Sequence, residues 1–111
     1  MATAAELYNE ADQLKEEGNL EEAITKLEQL LAEHADYALA HSALGVLCGK
    51  VGRHEDAVRH AVRVCELEPN DPFSFTAMSV IYQRAYAGTN NPQYIQLAED
   101  AMARSQMIQR Q

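Results

Sequence analysis

The stretch Gly18-Asn19-Leu20-Glu21-Glu22-Ala23-Ile24 returns, thirty-four residues on, as Gly52-Arg53-His54-Glu55-Asp56-Ala57-Val58. The match extends beyond it: Ala11 pairs with Gly45 and Leu30 with Val64, so small residues stay small and large or branched apolar residues stay apolar. A self-match at this period marks an internal repeat, and what it preserves are packing roles. Apolar residues recur at three- and four-residue steps on both sides of each glycine, which predicts a helix, a short turn and a second helix per unit. The first unit carries Leu7, Ala11, Leu14 and then Leu20, Ala23, Leu27, Leu30; the second carries Leu44, Leu47, Cys48, Val51 and then Ala57, Ala61, Val64. Gly18 and Gly52 fall at the breaks, where a left-handed residue ends a helix without steric cost. Asn19 stands where an N-cap is expected.

A third unit opens at Asp71-Pro72, an N-cap followed by proline at the first helical position, and Phe75, Met78, Ser79 and Tyr82 repeat the first-helix stripe. Its second half is displaced. Glu99-Asp100-Ala101-Met102 copies Glu55-Asp56-Ala57-Val58 with ten residues added, whereas aligning Ala98 with Ala57 needs only seven. Tyr82 and Tyr86 prolong the first helix, and Asn91-Pro92 reads as a cap and helix start. The units are therefore 4–37, 38–71 and 72–111, the last with an insertion near 86–93 and a hairpin tip at Gly88-Thr89-Asn90-Asn91.

The pattern resembles the tetratricopeptide repeat. The second unit carries the resemblance in Leu44-Gly45, Gly52, Glu55-Asp56-Ala57, Val64, Pro69 and Asn70-Asp71, and the first in Ala11, Leu14, Gly18, Glu21-Glu22-Ala23-Ile24 and Leu30. Ala35 stands where that family usually has proline, and Glu10 where it usually has leucine. The resemblance implies an all-α fold of about six helices, in antiparallel pairs stacked as a short right-handed solenoid. It also implies a non-catalytic adaptor or scaffold that holds a peptide or helix of a partner protein in a concave groove.

Composition agrees with a helical chain and narrows its partners. Of 111 residues, 47% are hydrophobic and only 6% aromatic, which suits one folded helical domain. A formal charge of -8 gives a field that repels nucleic acid and anionic lipid, so neither is expected as a partner. Met1 to Ala11 has no basic segment or apolar run of a leader, and no window reaches membrane-spanning length, so a cytoplasmic location is expected. Cys48 and Cys65 lack metal-ligand spacing and read as buried, reduced thiols. His34, His41, His54 and His60 contain no i, i+4 pair, and no nucleophile set or phosphate loop is present. No catalytic residue, metal or cofactor is expected.

By position in the resembled family, the groove would be lined by Tyr8, Asp12 and Lys15, then Ser42, Val46, Gly49 and Lys50, then Phe73, Thr76, Val80, Gln83 and Arg84. Tyr8 and Phe73 are the expected anchors, because aromatics supply large contact area at low entropic cost. The alternative for Val46 and Val80 is a second row of core. Asp12 would repel a carboxylate and suits a ligand with apolar anchors and a basic residue. The last helix presents Tyr94, Leu97, Met102 and Ile108 as a possible face for homo- or hetero-oligomerisation. Gln93, Gln96, Glu99, Arg104, Gln106 and Gln109 offer the other outcome, a polar cap on the array.

Overall fold

The computed structural model describes residues 2–111; Met1, which opens the stretch read above for a leader, lies outside them. The described residues form six helices and no strand: α1 (Ala4–Glu16), α2 (Leu20–Glu33), α3 (Ala38–Lys50), α4 (His54–Leu67), α5 (Pro72–Thr89) and α6 (Gln93–Arg110). Helices adjacent in sequence pack on one another, most extensively within the pairs α1–α2, α3–α4 and α5–α6, and α3 also meets α5. None of these helices is long and apolar enough to cross a membrane.

The first two pairs close through the same turn. Gly18 and Gly52 adopt φ of 84° and 85°. The next residue in each case returns its N–H to the preceding helix, Asn19 to the Leu14 carbonyl at 2.9 Å and Arg53 to the Cys48 carbonyl at 2.8 Å. These bonds satisfy carbonyls that a helix end otherwise leaves unpaired. The expected side-chain cap from Asn19 does not form: its backbone occupies the N-cap position, but its amide makes no capping bond. The turn itself already fixes the entry to α2. The caps that do form are at Thr3, whose hydroxyl accepts from Glu6 N–H at 3.1 Å, and at Asp71, whose carboxylate accepts from Phe73 N–H at 2.9 Å.

A Cβ on Gly18 would meet nothing within 4 Å, so only the backbone conformation resists substitution there. Gly18→Ala is expected to cost about 1–2 kcal/mol of folding free energy, and Gly18→Asn clearly less, because asparagine tolerates this region. Urea unfolding of the two variants beside wild type checks both values.

The predicted stripes are the core. Leu7, Ala11, Ala23, Ile24, Leu27, Leu30, Leu44, Leu47, Cys48, Ala57, Ala61 and Ile81 form one buried cluster, and Tyr82, Ala98 and Ala101 form a second, bridged to the first by Val58 and Met78. The pairs approach where side chains are smallest. A Cβ on Gly45 would lie 3.6 Å from the Ala57 carbonyl and 3.0 Å from Ile81 Cδ1, so glycine lets α3 close on α4 and leaves room for α5. Both thiols are buried and free; Cys65 Sγ lies 3.8 Å from Met78 Sδ at the α4–α5 junction.

The counterpart of the Gly45–Ala57 approach decides the register of the third pair. Ser79 stands thirty-four residues after Gly45 and donates its hydroxyl to the Ala98 carbonyl at 2.8 Å. Ala98 therefore takes the place of Ala57, and seven residues have been inserted. They extend α5 by five residues at its C-terminal end and α6 by two at its N-terminal end; with two more residues at the far end of α6, both helices reach eighteen, against thirteen or fourteen in the other pairs. Gly88 and Thr89 belong to α5 rather than to the tip, which is Asn90-Asn91-Pro92, and Asn90 ends the helix with φ of 60°. Gly88 has a packing role instead: a Cβ there would lie 2.2 Å from His54 Nε2, so its bareness admits the imidazole from the start of α4.

Candidate partner groove

Three helices, α1, α3 and α5, carry residues at matching positions thirty-four apart. Two clefts run along their shared surface. The first, about 270 Å³, lies between α1 and α3 and is lined by Tyr8, Asp12, Lys15, Leu39, Ser42 and Val46. The second, about 460 Å³, lies between α3 and α5 with α4 behind, and is lined by Leu39, Ser42, Val46, Phe73, Ala77, Val80 and Arg84. Leu39, Ser42 and Val46 belong to both, so α3 stands between the two clefts. Eight of the twelve expected lining residues are brought together: Tyr8, Asp12, Lys15, Ser42, Val46, Phe73, Val80 and Arg84.

The other four are not. On α5 the groove side follows Phe73, Ala77, Val80 and Arg84, at steps of four, three and four, and the residue just before each later one turns toward α6. Thr76 accordingly shares a hydrogen bond with Ser105 at 2.8 Å, and Gln83 donates to Ser79 at 3.3 Å, in a separate cleft with Tyr86, Ile95 and Met102. Gly49 faces Ala57, with 4.0 Å between its Cβ position and the alanine methyl, so it belongs to the α3–α4 crossing. Lys50 is exposed at the end of α3 and lines neither cleft.

The apolar character of the groove is concentrated at its centre. Phe73 is 76% exposed, Leu39 56%, Val46 38% and Val80 37%, and all four line the second cleft. Val46 and Val80 are thus surface rather than a second row of core. Tyr8 differs from Phe73. It is half-buried against the core, its ring tilted on Tyr37 at 6.2 Å. Asp12 is already engaged by Lys15 at 3.0 Å, and Lys15 also reaches Glu16 at 3.6 Å. The hydrogen bond to Asp12 is the main cause that raises the Lys15 pKa above its ordinary value. One ammonium thus stands against two carboxylates, which leaves this end of the cleft net acidic.

The chain matches no known protein-family model and no curated protein.

The four residues expected to form an oligomer face differ in exposure. Tyr94 stacks on Tyr82, with centroids 6.0 Å apart, and belongs to the second core cluster. Ile108 and Met102 are half-buried, and Leu97 is 40% exposed. Positions 94, 98, 101, 105 and 108 follow one helical stripe toward α5, with Leu97 at its edge beside Ile108 and Met102 at the opposite edge. Arg104 covers Phe75 at 5.9 Å from the ring centroid rather than serving only as a solvated cap.

No group of three or more His, Cys, Asp or Glu among the described residues is placed to hold a metal ion. Burial pushes the Cys48 and Cys65 thiols up to about 11, so neither is a thiolate at neutral pH. One titratable contact had no signal in the spacing. His41 on α3 and His60 on α4 meet Nδ1 to Nδ1 at 3.0 Å, and His41 Nε2 lies 2.8 Å from the Ala35 carbonyl.

Proposed function

We propose that this chain is a non-catalytic protein-interaction module of the tetratricopeptide type, its three helix pairs stacked as a short right-handed solenoid in a cytoplasmic setting. It binds a segment of a partner protein, extended or helical, across α1, α3 and α5. The observation that carries this reading is the gathering of Leu39, Val46, Phe73 and Val80, four large apolar side chains with more than a third of their surface exposed, along one cleft. A contiguous apolar patch rimmed by polar groups favours a protein contact over solvent. Asp12 paired with Lys15 supplies the polar rim at one end, and Arg84 at the other. The groove thus asks chiefly for apolar anchors.

Affinity capture with wild type beside a Val46→Asp, Phe73→Ala double variant tests the reading, after both are shown to have equal helicity and melting. A protein retained by wild type and lost by the variant supports the groove. Retention by both overturns it. The assembly reading draws on Ile95, 43% exposed in the α5–α6 cleft beside Met102. It expects a mass that rises with concentration and falls back on Met102→Glu.

A further inference from the structure

We propose that the His41–His60 contact is a proton-operated latch that holds the first turns of α3 on α4 while the pair carries at most one extra proton, and lets go when both rings are protonated. The geometry dictates the count. A carbonyl oxygen only accepts, so His41 Nε2 at 2.8 Å from the Ala35 carbonyl carries hydrogen. In neutral His41 the other nitrogen, Nδ1, is then a lone pair, and His60 Nδ1 donates to it across 3.0 Å. One added proton is accommodated by reversing that bond: His41 becomes the donor through Nδ1, and His60 takes its hydrogen on Nε2. A second proton places N–H against N–H at 3.0 Å, with two positive charges side by side, and the contact cannot survive.

The surroundings give the second proton only counter-charge that is already shared. The groups that bear on His60 are Asp56 and Arg59 on its own helix, His41 opposite, and Glu28 on α2. Both carboxylates are already claimed, Glu28 by Arg53 and Asp56 by Arg53 and Arg59. In the α2–α3 turn, Asp36 is held by Arg63 at 2.6 Å, and His34 is exposed. His41 is only 8% exposed, so water does not take over the solvation of its charge. Burial, and then the neighbouring His41, hold the His60 pKa below its ordinary value. For an imidazole lowered on folding, the stabilisation is complete above the ordinary range near 6.5 and is lost as pH falls through the depressed value. Three pieces are tied by the latch: the α2–α3 turn through Ala35, α3 through His41 and α4 through His60. Leu39 and Ser42 flank His41 on α3, so acid would also loosen α3 between the two clefts; that clause rests on the groove reading, whereas the latch and its test do not.

Melting of wild type and His60→Asn is followed from about pH 7.5 to about pH 5, a window above most carboxylate titration. Asparagine keeps an amide donor near the position of Nδ1 and cannot take a proton. Wild type is expected to lose up to about tenfold in its folding equilibrium per pH unit below the imidazole range, a slope that His60→Asn removes. Histidine ring NMR of wild type is expected to show one ring of the pair still neutral well below the ordinary imidazole range near 6.5. Parallel melting curves for a folded variant, or two rings of the pair that both titrate in the ordinary imidazole range, overturn the latch. If the variant fails to fold, the wild-type ring titration decides alone.

Discussion

Ala57→Leu is expected to lower the folding free energy by about 1–3 kcal/mol, read as a fall in Tm of roughly 4 to 12 °C for a domain of this size. Ala57 is 1% exposed, its methyl lies 4.0 Å from the Cβ position of Gly49, and its carbonyl lies 3.6 Å from that of Gly45. Three more carbons cannot enter without separating α3 from α4. That separation disturbs Ile81 as well, since its Cδ1 already sits 3.0 Å from the Cβ position of Gly45. The effect belongs to the crossing and not to leucine in a helix, because alanine and leucine differ little in helix propensity. Ala103→Leu, the same change at an exposed position of α6, is the control and is expected to leave Tm within a degree or two. Equal melting of the two variants would mean that the helices do not approach at Ala57.

Phe73→Ala is expected to weaken partner binding by at least about tenfold, and up to several hundredfold if the ring is a hot spot, with no loss of melting temperature. The ring is 76% exposed in the free protein, so a partner can bury nearly all of it. Tyr8→Ala is expected to differ on both counts: a smaller loss of affinity and a measurable loss of stability. Tyr8 is already packed against the core and against Tyr37, and that contact is absent in the variant before any partner arrives. Titration calorimetry with the captured partner, set beside thermal melts, separates the two. Equal affinity losses at the two positions would place the main anchor outside the α3–α5 cleft.

How far the fold was legible depended on whether one residue type did one job. Gly18 and Gly52 were readable because a positive φ at a helix end nearly demands glycine, and the small residues Ala11, Gly45, Ala23 and Ala57 were readable because close crossings exclude larger ones. The third hairpin broke this one-to-one rule. Asn90 supplies the left-handed end of α5, while Gly88 lies within the helix and makes room for the ring of His54. A turn glycine and a packing glycine look alike in a sequence. The choice between Ala98 and Ala101 was likewise closed only by the bond from Ser79 to the Ala98 carbonyl.

The groove was legible on α1 and partly on α3 and α5. Thr76 and Gln83 miss because a one-residue step turns a side chain by about 100° on a helix, enough to exchange the groove for the α6 interface. Leu39 was missed although a signal existed: it lies thirty-four residues before Phe73, so the repeat that located one names the other. The His41–His60 contact had no such signal, since the two residues occupy different helices at a separation that matches no motif.

The two cysteines, with their protons held on by burial up to about 11, make the protein a recorder of its own opening. A thiol reagent at neutral pH can modify Cys48 only after α3 leaves the centre of the core, whereas Cys65 lies at the seam where α4 meets α5. Mass-resolved alkylation over time therefore gives two clocks in one molecule. Equal rates report that the whole chain unfolds as a unit. A faster Cys65 reports that the last helix pair detaches while the first two stay closed.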